Sequence, residues 1–118
     1  MKGWFGMDIN IEKLIKLTQE MEQRYQTAKN GKCYAFKEDV VPFVSHIDEI
    51  LFQLDGQAEH IVALPYMNKL KYEMLKENIE KLSVECHYSK TSRKMFMEKL
   101  KSVNYDLNYI KDCEKYYG

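Results

Sequence analysis

The sequence is poor in residues that interrupt helices and in long apolar runs. Its 118 residues include 2 prolines and 5 glycines, and these lie mostly at the ends of apolar segments. Cys33, Cys86 and Cys113 form no CxxC pair, and an odd number of cysteines favours reduced thiols in the cytoplasm. No apolar run approaches the roughly 18 residues of a membrane-spanning helix. We therefore expect a soluble cytoplasmic protein that makes no contact with a membrane.

The sequence also lacks the motifs that carry common catalytic chemistry. It has no glycine-rich phosphate loop, no Gly-x-Ser-x-Gly and no His-Glu-x-x-His. Di-metal helix bundles use Glu-x-x-His pairs, whereas here His46 and Glu49 stand in the reverse order and Gln57 precedes His60 with an amide. We predict that the protein is not an enzyme and holds no metal and no cofactor.

Cys86 and His87 are the one adjacent cysteine–histidine pair. Neighbouring residues on a helix point in different directions, so we do not expect these two side chains to meet. Cys86 falls on an apolar stripe, where a buried thiol behaves as a small apolar side chain. We interpret the three histidines as half-exposed helix residues.

Four segments repeat apolar residues at alternating steps of three and four, which is the pattern of an amphipathic helix. The stripes are Ile11, Leu14, Thr18, Met21, Tyr25 and Ala28; Val40, Phe43, Ile47, Ile50 and Leu54; Tyr72, Leu75, Ile79, Leu82 and Cys86; and Phe96, Leu100, Val103, Leu107 and Ile110. They predict an all-α fold, an antiparallel up-down-up-down four-helix bundle. We expect one domain over residues 8–118, after a short leader at residues 1–7.

Capping residues predict where the first two helices begin and end. Asp8 or Asn10 can cap the first helix, which we expect to stop where Gly31 tolerates a left-handed conformation. The second helix is predicted to begin near Tyr34 and to bend at Pro42. We expect it to continue through Gly56, at a cost of about 1 kcal/mol, and to stop before residue 65, a proline.

The last two helices also have candidate caps. Asn68 can cap the third helix, which we expect to reach about His87. Ser89, Thr91 or Ser92 can cap the fourth helix, which continues nearly to the end of the sequence.

The charges cancel overall but are distributed unevenly. Eighteen Lys and Arg balance eighteen Asp and Glu, so a nucleic-acid partner is not expected. Residues 69–101 nevertheless carry more basic than acidic side chains. Lys90, Arg93 and Lys94 near the start of the fourth helix could bind a phosphate or an acidic partner. The alternative interpretation is that they form the solvated flank of the helix.

Two further sets of residues are candidates for binding. Arg24 and Asp48 are expected on adjacent helices, where a bidentate hydrogen bond between them could lock the helices in register. Alternatively, these two residues and Tyr25 could line a polar groove between the helices. Of the nine tyrosines, we expect Tyr25, Tyr72 and Tyr105 on or beside the core. We expect three others to be more exposed and to form a protein contact surface: Tyr109, Tyr116 and Tyr117.

Short motifs in a fixed order resemble the YppE-like family of small bacterial proteins. They are Arg24-Tyr25-Gln26, Tyr34-x-Phe36, Val41-Pro42-x-Val44, Asp48-Glu49 and the basic run from Lys90 to Phe96. The resemblance spans about residues 8–115 and implies a four-helix bundle. It implies no catalytic residues and no particular biochemical function.

Two functional hypotheses follow from these observations. The first is a non-enzymatic helical module that binds another protein, whose identity the sequence does not reveal, and that exists as a monomer or a weak homodimer. The second is a bundle that binds a small anion or metabolite at Arg24, Asp48, Lys90 and Lys94. The first rests on the helical stripes and the spare tyrosines, and the second on the basic residues.

Overall fold

A computed structural model describes the backbone of residues 2–117 and the side chains of residues 9–113. Over this range the α helices are α1 Lys2–Lys29, α2 Val41–Asp55, α3 Ala58–Val62, α4 Lys69–Glu85 and α5 Arg93–Tyr117, with a π-helical segment, Phe36–Val40, directly before α2. Between residues 2 and 117 there is no strand. The all-α prediction is confirmed for this part of the chain.

Helix α1 starts earlier than expected and ends where expected. It begins at Lys2, so a cap at Asp8 or Asn10 is wrong, and Asn10 is buried within the helix. No proline precedes residue 42, and a glycine in a helix costs only about 1 kcal/mol. At the other end Gly31 has φ 110°, and the Lys32 amide donates to the carbonyl of Thr27 at 3.1 Å. This 6→1 bond is that of a Schellman cap.

The approach to α2 is a widened helical turn. The amide of Val40 donates to the carbonyl of Ala35 at 3.2 Å, five residues earlier, and the Ala35 amide is capped by Oδ2 of Asp39 at 2.7 Å. Pro42 follows within the first turn of α2, where the fixed φ of proline suits the start of a helix. The single helix expected from near Tyr34 is divided into the π-helical segment Phe36–Val40 and α2, which begins at Val41.

The expected continuation of this helix to residue 64 is wrong. Helix α2 ends at Asp55, and the short helix α3 begins at Ala58. The amides of Gly56 and Gln57 donate three residues back, to Gln53 and Leu54, at 3.1 and 2.8 Å. Such bonds tighten the last turn and end the α-helical pattern. The separate helix α3 places Ile61 in the core, where it is fully buried.

The predicted caps of α4 and α5 are confirmed. Oδ1 of Asn68 accepts from the amide of Lys71 at 2.8 Å, and Oγ of Ser92 accepts from the amide of Met95 at 3.3 Å. Helix α4 ends at Glu85, two residues before the predicted His87.

The stripes meet in one core, in which α1 and α4 each pack against both α2 and α5. Tyr25 stacks on Phe96 with ring centroids 4.2 Å apart, and the Thr18 hydroxyl lies 2.8 Å from Oδ1 of Asn104. Residues later in α1 therefore contact residues earlier in α5. Tyr25 and Tyr72 are buried as predicted, whereas Tyr105 is 75% exposed. The core expectation for Tyr105 is wrong because it faces away from the stripe of α5.

Candidate functional site

Arg24 of α1 lies at the centre of a polar cluster that we call the Arg24 corner: Glu20, Arg24, Tyr34, Phe43 and His87. Its Nε and Nη2 donate to Oε2 of Glu20 at 2.9 and 2.8 Å, and its Nη1 lies 2.8 Å from Nε2 of His87. The guanidinium carbon is 4.2 Å from the centroid of the Phe43 ring, within the range of a cation–π contact. These contacts join α1, α2 and the end of α4.

The contact with Arg24 defines the protonation of His87. A guanidinium only donates, so Nε2 of His87 must accept and the ring proton must be on Nδ1. Burial, and then the charge of Arg24, lower the pKa of His87. His87 is 2% exposed, and its ring packs edge-on against Tyr34 and Phe43, with centroids 4.9 and 5.3 Å away. The expectation of a half-exposed His87 is wrong, because the residue lies past the last turn of α4.

Cys86 and His87 do meet, contrary to expectation. The distance between Sγ of Cys86 and Nδ1 of His87 is 3.4 Å. The helix ends at Glu85, so the angular separation of neighbours on a helix does not apply here. Burial raises the pKa of the Cys86 thiol to about 12, although the charge of Arg24 opposes the shift. The nucleophilic form of cysteine is the thiolate, so this contact is not an activated cysteine–histidine pair.

The proposed bond between Arg24 and Asp48 is absent. Asp48 instead lies in a cleft of about 390 Å³ between α2 and α4, where its carboxyl is hydrogen-bonded to Glu80. Burial, and then the charge of Asp48, raise the pKa of Glu80. In the same cleft Asp55 accepts from the Tyr72 hydroxyl at 2.6 Å and from Lys76 at 2.9 Å. Burial alone would raise the pKa of Asp55, but these two donors lower it overall.

The residues predicted for an anion site are not brought together. The Nε, Nη1 and Nη2 of Arg24 are engaged by Glu20 and His87, and Asp48 belongs to the acidic cleft. Lys90, Arg93 and Lys94 are exposed around the start of α5. Tyr25 is fully buried, and its hydroxyl donates to the carbonyl of Thr91 at 2.7 Å, which excludes it from a surface site.

A groove between α4 and α5 is bordered by exposed tyrosine and methionine side chains, which is the kind of surface expected for protein contact. It has a volume of about 560 Å³ and is lined by Tyr66, Met67, Lys71, Met74, Leu75, Asn78, Ser102, Tyr105, Asp106 and Tyr109. Tyr66 is 84% exposed, Tyr105 75% and Met74 55%. Leu70, one turn before Met74, is 69% exposed. We call this surface the α4–α5 groove.

The entrance of the groove is held in place from two sides. Tyr66 has φ 65°, a left-handed conformation that costs a residue with a side chain roughly 1–2 kcal/mol. Nζ of Lys71 donates to the carbonyl of Tyr66 at 2.8 Å. The hydroxyl of Tyr109, which is half-buried, donates to the carbonyl of Pro65. These bonds fix the backbone at Pro65 and Tyr66, and Tyr66 lines the groove.

Asp106 is the acidic group of the groove. Burial raises the pKa of its carboxyl, and the charge of Lys71 partly opposes that shift. An ion removed from water is stabilised by a nearby opposite charge. A cationic group placed in the groove would therefore gain a favourable partner in Asp106.

Of the residues described at this surface, Tyr109 was predicted from the sequence and the others were not. Tyr116 and Tyr117, also proposed for it, lie outside the residues whose side chains are described. Leu70 and Met74 are apolar residues that stand off the Tyr72–Cys86 stripe, and this was the available signal. A second apolar face on a helix indicates a second contact surface.

The described residues lack two features that would mark other classes of protein. They contain no group of three or more His, Cys, Asp and Glu side chains able to hold a metal ion. In the same part of the chain no helix is both long and apolar enough to cross a membrane. Over the described residues the fold is an all-helical domain, and its surface includes the apolar α4–α5 groove and the acidic cleft between α2 and α4.

The family is shown by comparison with known proteins. Residues 11–113 match the model of a bacterial domain of unknown function, DUF1798, and the chain belongs to this family. It is 31% identical over 105 residues to the uncharacterized protein YppE of Bacillus subtilis, covering 86% of this chain and 85% of that protein. The resemblance found in the sequence is thereby confirmed.

Solved structures agree on the fold. The structure of a DUF1798 protein from Staphylococcus aureus has 45% sequence identity to this chain and superposes on it with a TM-score of 0.89. The match covers 92% of this chain and 95% of that one. The YppE structure from Bacillus subtilis is 26% identical, with a TM-score of 0.81 covering 90% and 89%. A Listeria innocua protein of unknown function matches with a TM-score of 0.89 at 20% identity, covering 97% and 94%, which speaks for the fold alone.

Proposed function

We propose that this protein is a non-enzymatic cytoplasmic module that binds an amphipathic helix of a partner protein in the α4–α5 groove. The observation that carries the proposal is the exposure of Tyr66, Met74 and Tyr105 around one groove. Apolar patches of this kind on a folded domain commonly mark interaction sites. Tyrosine and methionine are also enriched in protein interfaces.

We further propose that α1, α2, α4 and α5 form an antiparallel up-down-up-down bundle. Pairs between α1 and α5 support this arrangement, because Glu12 contacts Lys111 and Tyr25 contacts Phe96. Between α2 and α4, Asp55 bonds Tyr72 while Asp48 bonds Glu80. In both pairs of helices, residues later in one helix contact residues earlier in the other, as antiparallel packing requires.

The shape and charge of the groove favour a helical occupant. A groove between two long helices accepts the apolar face of a third helix, with side chains spaced by three or four residues entering it. Met67 and Leu75 form its buried floor, and the exposed rings of Tyr66 and Tyr105 border it. Asp106 favours a Lys or Arg beside the apolar stripe of the partner.

Other features support a non-enzymatic role in a reducing compartment. The contact between Cys86 and His87 holds a protonated thiol beside a buried, neutral ring, which is unsuited to nucleophilic attack. Cys33, Cys86 and Cys113 are free thiols, as is usual in the cytoplasm.

Site-specific photo-crosslinking tests this proposal. A photoreactive amino acid replaces Tyr105 in the groove, or Phe52 on α2 as a control that is 79% exposed. We expect the Tyr105 probe to crosslink a partner in native lysate through a peptide with an amphipathic helical pattern and a basic residue. The Phe52 probe should not crosslink that peptide.

A second substitution in the groove supplies the matched control. Met74→Asp should abolish the crosslink, because it places a charge on the apolar wall, while it changes the free energy of unfolding by less than about 0.5 kcal/mol. The proposal would be contradicted if the Tyr105 probe crosslinked the partner equally well with and without Met74→Asp. It would also be contradicted if the Phe52 probe crosslinked the same peptide as efficiently as the Tyr105 probe.

A further inference from the structure

The outer face of α5 carries a second exposed stripe, distinct from the α4–α5 groove. Lys101, Tyr105, Asn108 and Asp112 follow one another at steps of four, three and four, and all four are exposed. They line a shallow groove of about 550 Å³ that also includes Asn104 and Tyr109. Tyr105 and Tyr109 line both this shallow groove and the α4–α5 groove. We call these four residues the α5 stripe.

Two charged residues of the α5 stripe have no opposite charge beside them in the part of the chain whose side chains are described. Among the described residues, Lys101 and Asp112 form no ion pair, whereas Lys99 and Lys111 on the same helix pair with Glu85 and Glu12. The two charges lie at opposite ends of the stripe, with Tyr105 and Asn108 between them. A lysine and an aspartate without partners, three helical turns apart, can be satisfied by another surface.

The stripe is complementary to itself when it is reversed. If two copies of α5 pack antiparallel about a twofold axis between residues 106 and 107, Lys101 faces Asp112 of the second copy. Tyr105 then faces Asn108, and each contact occurs twice, as an isologous interface requires. The steps of four, three and four are those of the facing positions in a coiled coil. A parallel pair would instead bring Lys101 against Lys101 and Asp112 against Asp112.

We propose that the α5 stripe binds a second copy of this chain, forming an antiparallel homodimer. The proposal goes beyond the binding of a partner helix and does not depend on it. A single helix face is smaller than the roughly 800 Å² per subunit of a standard interface, so the dimer is a weak one. It therefore forms at high protein concentration, and salt weakens it by screening the exposed ion pairs.

Charge reversal tests the pairing directly. By sedimentation equilibrium, Lys101→Asp and Asp112→Lys should each lower the association constant by roughly tenfold or more, since both symmetric ion pairs become repulsive. An equimolar mixture of the two variants should regain association, because only the mixed dimer restores opposite charges at both pairs. Lys94→Asp is the control, with the same change of charge at an exposed position of α5 outside the stripe.

The outcomes separate this proposal from its alternatives. Loss in each single variant with recovery in the mixture supports the antiparallel pairing. A wild-type protein that remains monomeric at about 1 mM, a dimer that persists in both variants, or an equal loss with Lys94→Asp overturns it. Met74→Asp leaves Lys101 and Asp112 in place, so a failure of groove binding and a failure of dimerisation are measured independently.

Discussion

The Arg24 corner and the α4–α5 groove differ in which side chains they shield from water. In the corner a charged guanidinium is enclosed by a carboxylate, a neutral imidazole and an aromatic ring. In the groove Tyr66, Met74 and Tyr105 remain largely in water. Burial of apolar surface stabilises a fold by roughly 25 cal/mol per Å², so these exposed side chains contribute little to folding. The comparison indicates that the corner maintains the fold and that the groove is available for binding.

The largest expected effect comes from the aromatic wall of the corner. Phe43→Ala should lower the free energy of unfolding by about 3 kcal/mol, because a buried ring is removed from contact with Arg24 and His87. Phe52→Ala on the same helix, where the ring is exposed, should change it by less than about 0.5 kcal/mol. Urea denaturation followed by circular dichroism measures both values. Similar losses of unfolding free energy in the two variants would contradict the conclusion that the buried ring of Phe43 contributes more to the fold than the exposed ring of Phe52.

A smaller effect is expected from the charge inside the corner. Arg24→Met should cost about 2 kcal/mol, because it leaves Nε2 of the buried His87 without its donor and removes the bonds to Glu20. Arg93→Met, at an exposed position, serves as the control and should be nearly neutral. The same denaturation measurement applies. If both arginine variants were neutral, the corner would not be an energetic contributor to the fold.

The smallest effect is a pH dependence that arises from His87. Its pKa in the folded protein is below the usual 6.5, so the unfolded chain binds its proton first as the pH falls. Stability is therefore fully present above about pH 6.5 and declines below it, towards the folded pKa. In His87→Gln the decline between pH 7.5 and pH 5 should be shallower, as measured by urea midpoints.

The control for this prediction is an exposed histidine. His46→Gln should retain the wild-type decline. Glu80 and Asp106, whose pKa values are raised, make the opposite contribution and favour the folded state as the pH falls, but they are present in all variants. An unchanged slope in His87→Gln would show that the imidazole is not the group responsible.

The sequence predicted the helices better than it predicted their interruptions. The stripes identified the buried face of each long helix because helical periodicity is a local property of the chain. The caps at Gly31, Asn68 and Ser92 were also predictable, since each depends on a few neighbouring residues. The break after Asp55 was missed, because Gly56 is compatible with both a continuous and an interrupted helix.

The candidate sites were predicted less well than the fold. Arg24 was identified as an unusual residue, but its partner was predicted to be Asp48, whereas its partners are Glu20 and His87. Tyr105 was predicted to lie beside the core and is largely exposed. These errors arose where the direction of a side chain depends on how two helices are rotated against each other.

The sequence by itself determined that this chain is helical, which faces are apolar, where α1 ends and where α4 and α5 begin. Periodicity and capping act within a few residues, so they can be recognised without coordinates. Only the tertiary structure decided that Arg24 meets His87 across 63 residues and that Tyr66, Met74 and Tyr105 border one groove. Such contacts depend on the packing angle and rotation of whole helices, which side-chain shape and close packing decide together.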